Sequence, residues 1–131
     1  MNGKPTLLTF GLILFACSGG DVQPVDIHDE DACSFCRMAI SEVRFAGELI
    51  TTDAEVFKFD DIGCLRSFRE TRLTGQVAGF FLKNFETGGW LNGDSAHVVR
   101  TGLRTPMGSG LIALSSGVRA RVIAEQYPPE E

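Results

Sequence analysis

Residues 44–72, RFAGELITTDAEVFKFDDIGCLRSFRETR, decide the fold. Arg44–Thr51 and Glu55–Phe59 read as two short strands, the second with Phe57 and Phe59 on one face and Val56 and Lys58 on the other. Thr52-Asp53-Ala54 joins them as a turn, which makes a hairpin. Asp60-Asp61 then supplies an N-cap and an acidic first turn for a helix to about Arg72, with Ile62, Leu65 and Phe68 as its buried stripe. Arg66, Arg69 and Arg72 form a second stripe toward the C-terminal end, where positive charge suits the helix dipole. A solvated face is the simpler reading of these arginines, and docking of an acidic partner is the alternative.

Downstream, Gln76–Phe85 reads as a third strand punctuated by Gly79, and Thr87-Gly88-Gly89 breaks it before Trp90. The order so far is strand-strand-helix-strand. The remainder echoes it: Ala96–Thr101 and Gly110–Leu114 as strands around a Gly/Pro loop holding Met107, then Ser115-Ser116 capping a helix with Val118 and Val122 on one face. Tyr127-Pro128-Pro129 stops that helix, and no residues are left for a closing strand. The expectation is an α+β fold: a small domain of two repeated strand-strand-helix-strand units, about 31–90 and 91–127, the second truncated at its C-terminus.

Ahead of this domain, residues 1–16 combine Lys4 with an apolar run from Leu7 to Ala16. The run is shorter than the roughly 20 residues that span a bilayer, but it has the length of a signal-peptide core. Leu14-Phe15-Ala16-Cys17 resembles a lipobox, in which the cysteine is acylated and becomes the mature N-terminus; Phe15 is bulkier than is usual there. Residues 17–30, rich in Gly, Asp and Pro, read as a solvated tether, with Asp26, Asp29, Glu30 and Asp31 as its polar face, and 31–131 as the folded domain. The expected location is the cell envelope, lipid-anchored to a membrane through Cys17, with the domain facing the periplasm or the exterior.

With 131 residues, 44% of them hydrophobic, the chain can bury a real core, and its net charge of −5 lacks the clustered basic excess that nucleic-acid binding requires. Nucleic acid is therefore an unsuitable partner. The sequence contains no Gly-rich phosphate loop, serine-nucleophile elbow or histidine-glutamate zinc helix, so an enzyme is not the expectation.

Chemistry concentrates in Cys33-Ser34-Phe35-Cys36-Arg37-Met38. With Cys17 set aside for the lipid, Cys33, Cys36 and Cys64 are an odd number, so at least one thiol is left over from any intramolecular pairing. In an extended or turn-like segment Cys36 and Met38 present a thiolate and a thioether to the same side, and Cys33 can join through a tight turn. Soft sulfur favours copper(I), and a thioether is a poor zinc ligand. A structural Cys33–Cys36 disulfide beside apolar Phe35 and Met38 is the other reading, and thiol-disulfide exchange by the same pair is a third. Cys64, alone in a helical turn, reads as a small buried residue, although it can approach the site if the helix start packs there. His28 and His97 read as solvated or structural. Met107 is a possible further sulfur.

Asp31-Ala32-Cys33-Ser34-Phe35-Cys36-Arg37-Met38-Ala39-Ile40 with Phe59-Asp60-Asp61-Ile62-Gly63-Cys64 resembles the NosL family of copper-binding lipoproteins. Ala96-His97-Val98-Val99 and Thr105-Pro106-Met107-Gly108-Ser109-Gly110 are similar to that family's second half. The resemblance implies a copper(I) site at Cys36 and Met38, with Cys33 an extra sulfur common in relatives. It further implies delivery of copper to nitrous oxide reductase, working with an ABC-type membrane complex. The short C-terminus departs from the family pattern, and nothing in the sequence identifies the client.

Overall fold

The structure, a computed structural model, describes residues 21–130. The expected leader 1–16, the lipidation cysteine Cys17 and the start of the tether lie outside the described residues.

The hairpin forms as β1 (Gly47–Thr51) and β2 (Val56–Phe59), antiparallel with Leu49 opposite Phe57. β1 begins later than the sequence suggests because Val43–Phe45 closes into a single 3₁₀ turn. α1 (Ile62–Thr71) follows, capped by the Asp61 side chain on the Gly63 N–H, with Ile62, Leu65 and Phe68 buried as expected. β3 (Val77–Lys83) returns beside β1. Trp90–Asn92 then forms β4 on the free edge of β3, a strand too short for its alternation to show in sequence. The result is a four-stranded antiparallel sheet in the order β2-β1-β3-β4.

β5 (His97–Arg100) and β6 (Leu111–Leu114) pair as a second, two-stranded sheet, and α2 (Gly117–Gln126) starts at the Ser116 cap. This strand-strand-helix order repeats that of β1-β2-α1. β6 is buried throughout because both its faces are covered. Leu111 and Ala113 join the core under α1, while Ile112 and Leu114 join Phe45, Ala120 and Ile123 under α2. β6 thereby welds the two halves together.

α2 turns the face of Val118 and Val122 outward. Val118 is 70% exposed and Val122 42%, whereas Ala120 and Ile123 are buried. Apolar spacing identifies a helix face, but which face the sheet covers is set by how closely the backbone approaches, and Ala120 permits the closer approach. At α1 the same closeness comes from Gly47, where an added Cβ would lie 2.8 Å from Leu65 Cδ1.

The tether is corrected over its described part. Residues 22–31 are held against the sheet: the Val25 N–H donates to Glu48 Oε1 at 2.7 Å, Lys58 Nζ donates to the Asp26 carbonyl, and Ile27 packs on the core. Asp26, Asp29 and Glu30 remain exposed, but Asp31 pairs with Lys58 at 2.6 Å. The His28 N–H and then Lys58 hold the Asp31 carboxyl below its usual range.

The strap seals Glu48, which is fully buried with Oε2 left without a partner, and burial pushes its carboxyl above the ordinary 4.5. Between 4.5 and that raised value the folded protein holds the extra proton. Stability from this group is complete below 4.5 and is lost as pH rises through the folded value. Asp31 works in the opposite sense in a separate window, losing its contribution as pH falls below 3.8. Urea unfolding across pH should therefore show a decline above 4.5 in the wild type that is absent from Glu48→Gln.

Candidate metal centre

The segment from Ala32 to Ala39 folds back on itself as a miniature hairpin. Ala32 and Ala39 bridge antiparallel, the Cys33 N–H donates to the Met38 carbonyl at 2.8 Å, and the Arg37 N–H donates to the Cys33 carbonyl at 3.0 Å. Closing so tight a loop puts Arg37 in the left-handed region, φ 68°. A long side chain there costs about 1 kcal/mol or more, strain of the kind that collects at ligand-holding loops.

Three anchors hold the loop. Ser34 exchanges hydrogen bonds with Lys58 on the outer edge of β2, its N–H donating to the carbonyl at 2.8 Å and its Oγ accepting from the N–H. Arg72 donates to the Phe35 carbonyl at 3.0 Å while its guanidinium covers the Phe35 ring at 4.4 Å. The Asp31–Lys58 pair pins the loop's entry.

The loop is thereby laid against the junction of β2 and α1, where Asp60 follows the strand and Cys64 occupies the first helical turn. The sulfurs of Cys33, Cys36 and Cys64 and a carboxylate oxygen of Asp60 all lie within 4.8 Å of one another. Cys33, Asp60 and Cys64 are buried and Cys36 is half-buried, so the cluster opens to solvent on the Cys36 side. The Cys36 thiol donates to Asp60 at 3.5 Å, and all three cysteines are free thiols.

Burial pushes the Cys64 thiol far up, reinforced by Cys33 and Asp60. Burial also raises Cys36, the Met38 N–H opposes, and Cys33 adds to the rise. Four acidic groups packed together cannot all ionise without a cation, because unpaired buried charge is costly. A bound metal ion reverses that balance, displacing thiol protons as it takes up the sulfurs. The donor set of three thiols and one carboxylate, converging from two elements, is suited to this.

Each residue singled out in the sequence has a definite place. Cys33 and Cys36 meet as expected. Cys64, read alone as a small buried residue, is both buried and in the cluster. Asp60, read as part of a helix cap, contributes its carboxylate instead, and the cap itself is Asp61 alone. The overlooked signal was the four-residue spacing of Asp60 and Cys64, which places both on one side of a helix start. Met38, the thioether expected to join Cys36, is 61% exposed and follows the left-handed Arg37. His28 and His97 are exposed and outside the cluster.

Met107 is 50% exposed, but its loop is locked to the site. Asp61 Oδ2 accepts from the Met107 N–H at 3.0 Å and from Thr105 Oγ1 at 2.7 Å, while Oδ1 accepts from Gly63. Burial works against the Asp61 charge, but these bonds and Ser109 outweigh it and hold the carboxyl below its usual range. Gly63 allows the contact, since a Cβ there would meet the Ser109 Cβ at 2.8 Å.

Two measurements check this geometry. Asp61→Ala removes the helix cap and strands the Met107 N–H and Thr105 hydroxyl, so urea unfolding should show a loss of about 3 kcal/mol. In the folded protein at mildly alkaline pH, a maleimide should label Cys36 well before Cys33 or Cys64, with the order erased in denaturant; mass mapping of the labelled peptides reads this out.

No family model matches the sequence, and no curated protein sequence matches it. Among solved structures, the crystal structure of the copper chaperone NosL from Shewanella denitrificans matches over 82% of this chain and 90% of that one, at 23% identity. The TM-score is 0.70, which shows that this chain has the α+β fold of NosL.

Proposed function

We propose that this protein is a copper(I) carrier rather than an enzyme, holding the ion with Cys36, Met38 and Cys33 and with Cys64 and Asp60 at hand in the same cluster. The observation that carries the reading is the convergence of three thiols and a carboxylate within 4.8 Å beside a solvent opening. Soft sulfur ligands select copper(I). A site closed on the Cys33 and Cys64 side and open at Cys36 lets a recipient's ligand enter before the donor's leave. In this reading the exposed Met38 thioether takes part in that exchange. The fold shared with a copper chaperone supports the same reading.

Thiol-disulfide exchange by Cys33 and Cys36 fits less well. The pair lies in a hairpin loop rather than within the first turn of a helix, and burial raises Cys36 where a reactive thiol needs lowering. Zinc is the second metal reading, favoured by one observation: the Asp60 carboxylate completes a donor set that zinc accepts.

The finer reading is that the protein works in the cell envelope, anchored to a membrane by a lipid on Cys17, and delivers copper to nitrous oxide reductase together with an ABC-type membrane complex. No described helix is long and apolar enough to cross a membrane. The sequence motifs of the leader and of the NosL resemblance support this placement.

Anaerobic titration of the reduced protein with copper(I) against a competing chelator tests the assignment. One-to-one binding should weaken roughly tenfold or more in Cys36→Ser and in Met38→Leu. Unchanged affinity in both variants would defeat the carrier reading at these residues. Zinc competing on equal terms with copper(I), with Asp60→Asn losing zinc alone, would establish the second reading.

A further inference from the structure

Between α1 and the strands beneath it lies a groove of about 390 Å³ that no part of the metal centre uses. Ile62 and Leu65 wall it from the helix, and the half-buried side chains of Phe80 and Val98 floor it. Arg66 and Arg69 stand at its rim, both exposed. The Arg69 guanidinium lies 4.8 Å from the centre of the Phe80 ring, a contact that leaves its N–H donors free. Neither arginine forms an ion pair or side-chain hydrogen bond among the described residues, in a chain of net charge −5. Arg72, on the same stripe, is the one committed elsewhere, to Phe35.

We propose that this groove docks an acidic segment of a partner protein, one bulky apolar side chain entering between α1 and Val98 while flanking carboxylates pair with Arg66 and Arg69. Two arginines three residues apart on a helix have Cβ atoms about 5–6 Å apart, so both can reach neighbouring carboxylates of one peptide. Guanidinium forks bind carboxylates bidentately. An apolar pocket rimmed by such pairs has the anatomy of an interface anchor, where the buried side chain contributes most of the affinity. Concavity favours a side chain over the flat surface of a lipid headgroup layer. The inference is independent of which metal the cluster takes, since neither arginine belongs to it. It also places the partner on the helix that carries Cys64.

The probe is a synthetic peptide in which glutamate pairs alternate with leucine, titrated into the metal-free, ¹⁵N-labelled full-length protein, with phosphatidylglycerol vesicles in a parallel series. Saturable amide shifts confined to α1, β3 and β5, weakened about tenfold or more in R66E/R69E, are expected. Both side chains are exposed, so the double variant should keep its amide spectrum; R66Q/R69Q is the substitute if it does not. Peptide shifts that ignore both variants, no groove-centred shifts, or binding to vesicles without binding to peptide would each overturn the proposal.

Discussion

The buried carboxylate of Asp61 is the interaction on which the rest of the structure depends. It caps α1, and through Thr105 and the Met107 N–H it ties the loop between β5 and β6 to the start of that helix. One side chain therefore fixes the helix start that carries Cys64 and joins the two halves of the chain beside the candidate metal centre. β6 completes the junction from below, with one face in each core. The N–H groups of Gly63 and Met107 and the hydroxyl of Thr105 fix the carboxylate in direction as well as stabilising its charge.

Around this frame the Cys33–Met38 loop is an appliqué on the exposed edge of β2, held by Ser34, Arg72 and the Asp31–Lys58 pair. That placement explains the asymmetry of the site. The side against the core is dry and holds Cys33, Cys64 and Asp60, while the side carried by the loop leaves Cys36 half-open and Met38 in solvent. Burial raises the Cys36 and Cys64 thiols, so binding of a metal ion by this cluster would be coupled to loss of their protons. The strain at Arg37 is tolerated because the anchors on either side over-determine the loop.

Legibility varied by element for physical reasons. The β1-β2 hairpin and α1 were readable because alternation and the three-residue stripe of Ile62, Leu65 and Phe68 are local signals. β4 was not readable, since three residues form a strand only where β3 offers an edge. The docked face of α2 is not local information: Val118 and Val122 are more apolar than Ala120, yet helix-to-sheet distance rewards the smaller residue. The strap over Glu48 was hidden for a similar reason: a Pro- and Asp-rich segment looks like a tether unless the surface that receives its backbone is known.

By itself the sequence determined the α+β class, the order of elements apart from β4, the helix caps and the sulfur-rich loop, because each rests on contacts between residues a few positions apart. The full cluster was decided only by tertiary structure. Cys64 stands 28 positions after Cys36 and has no sequence neighbour to make it a ligand pair. Folding the loop onto β2 and capping α1 with Asp61 bring it and Asp60 to the thiols of Cys33 and Cys36. Long-range convergence of this kind follows from how strands pair and helices dock, and no local pattern encodes it.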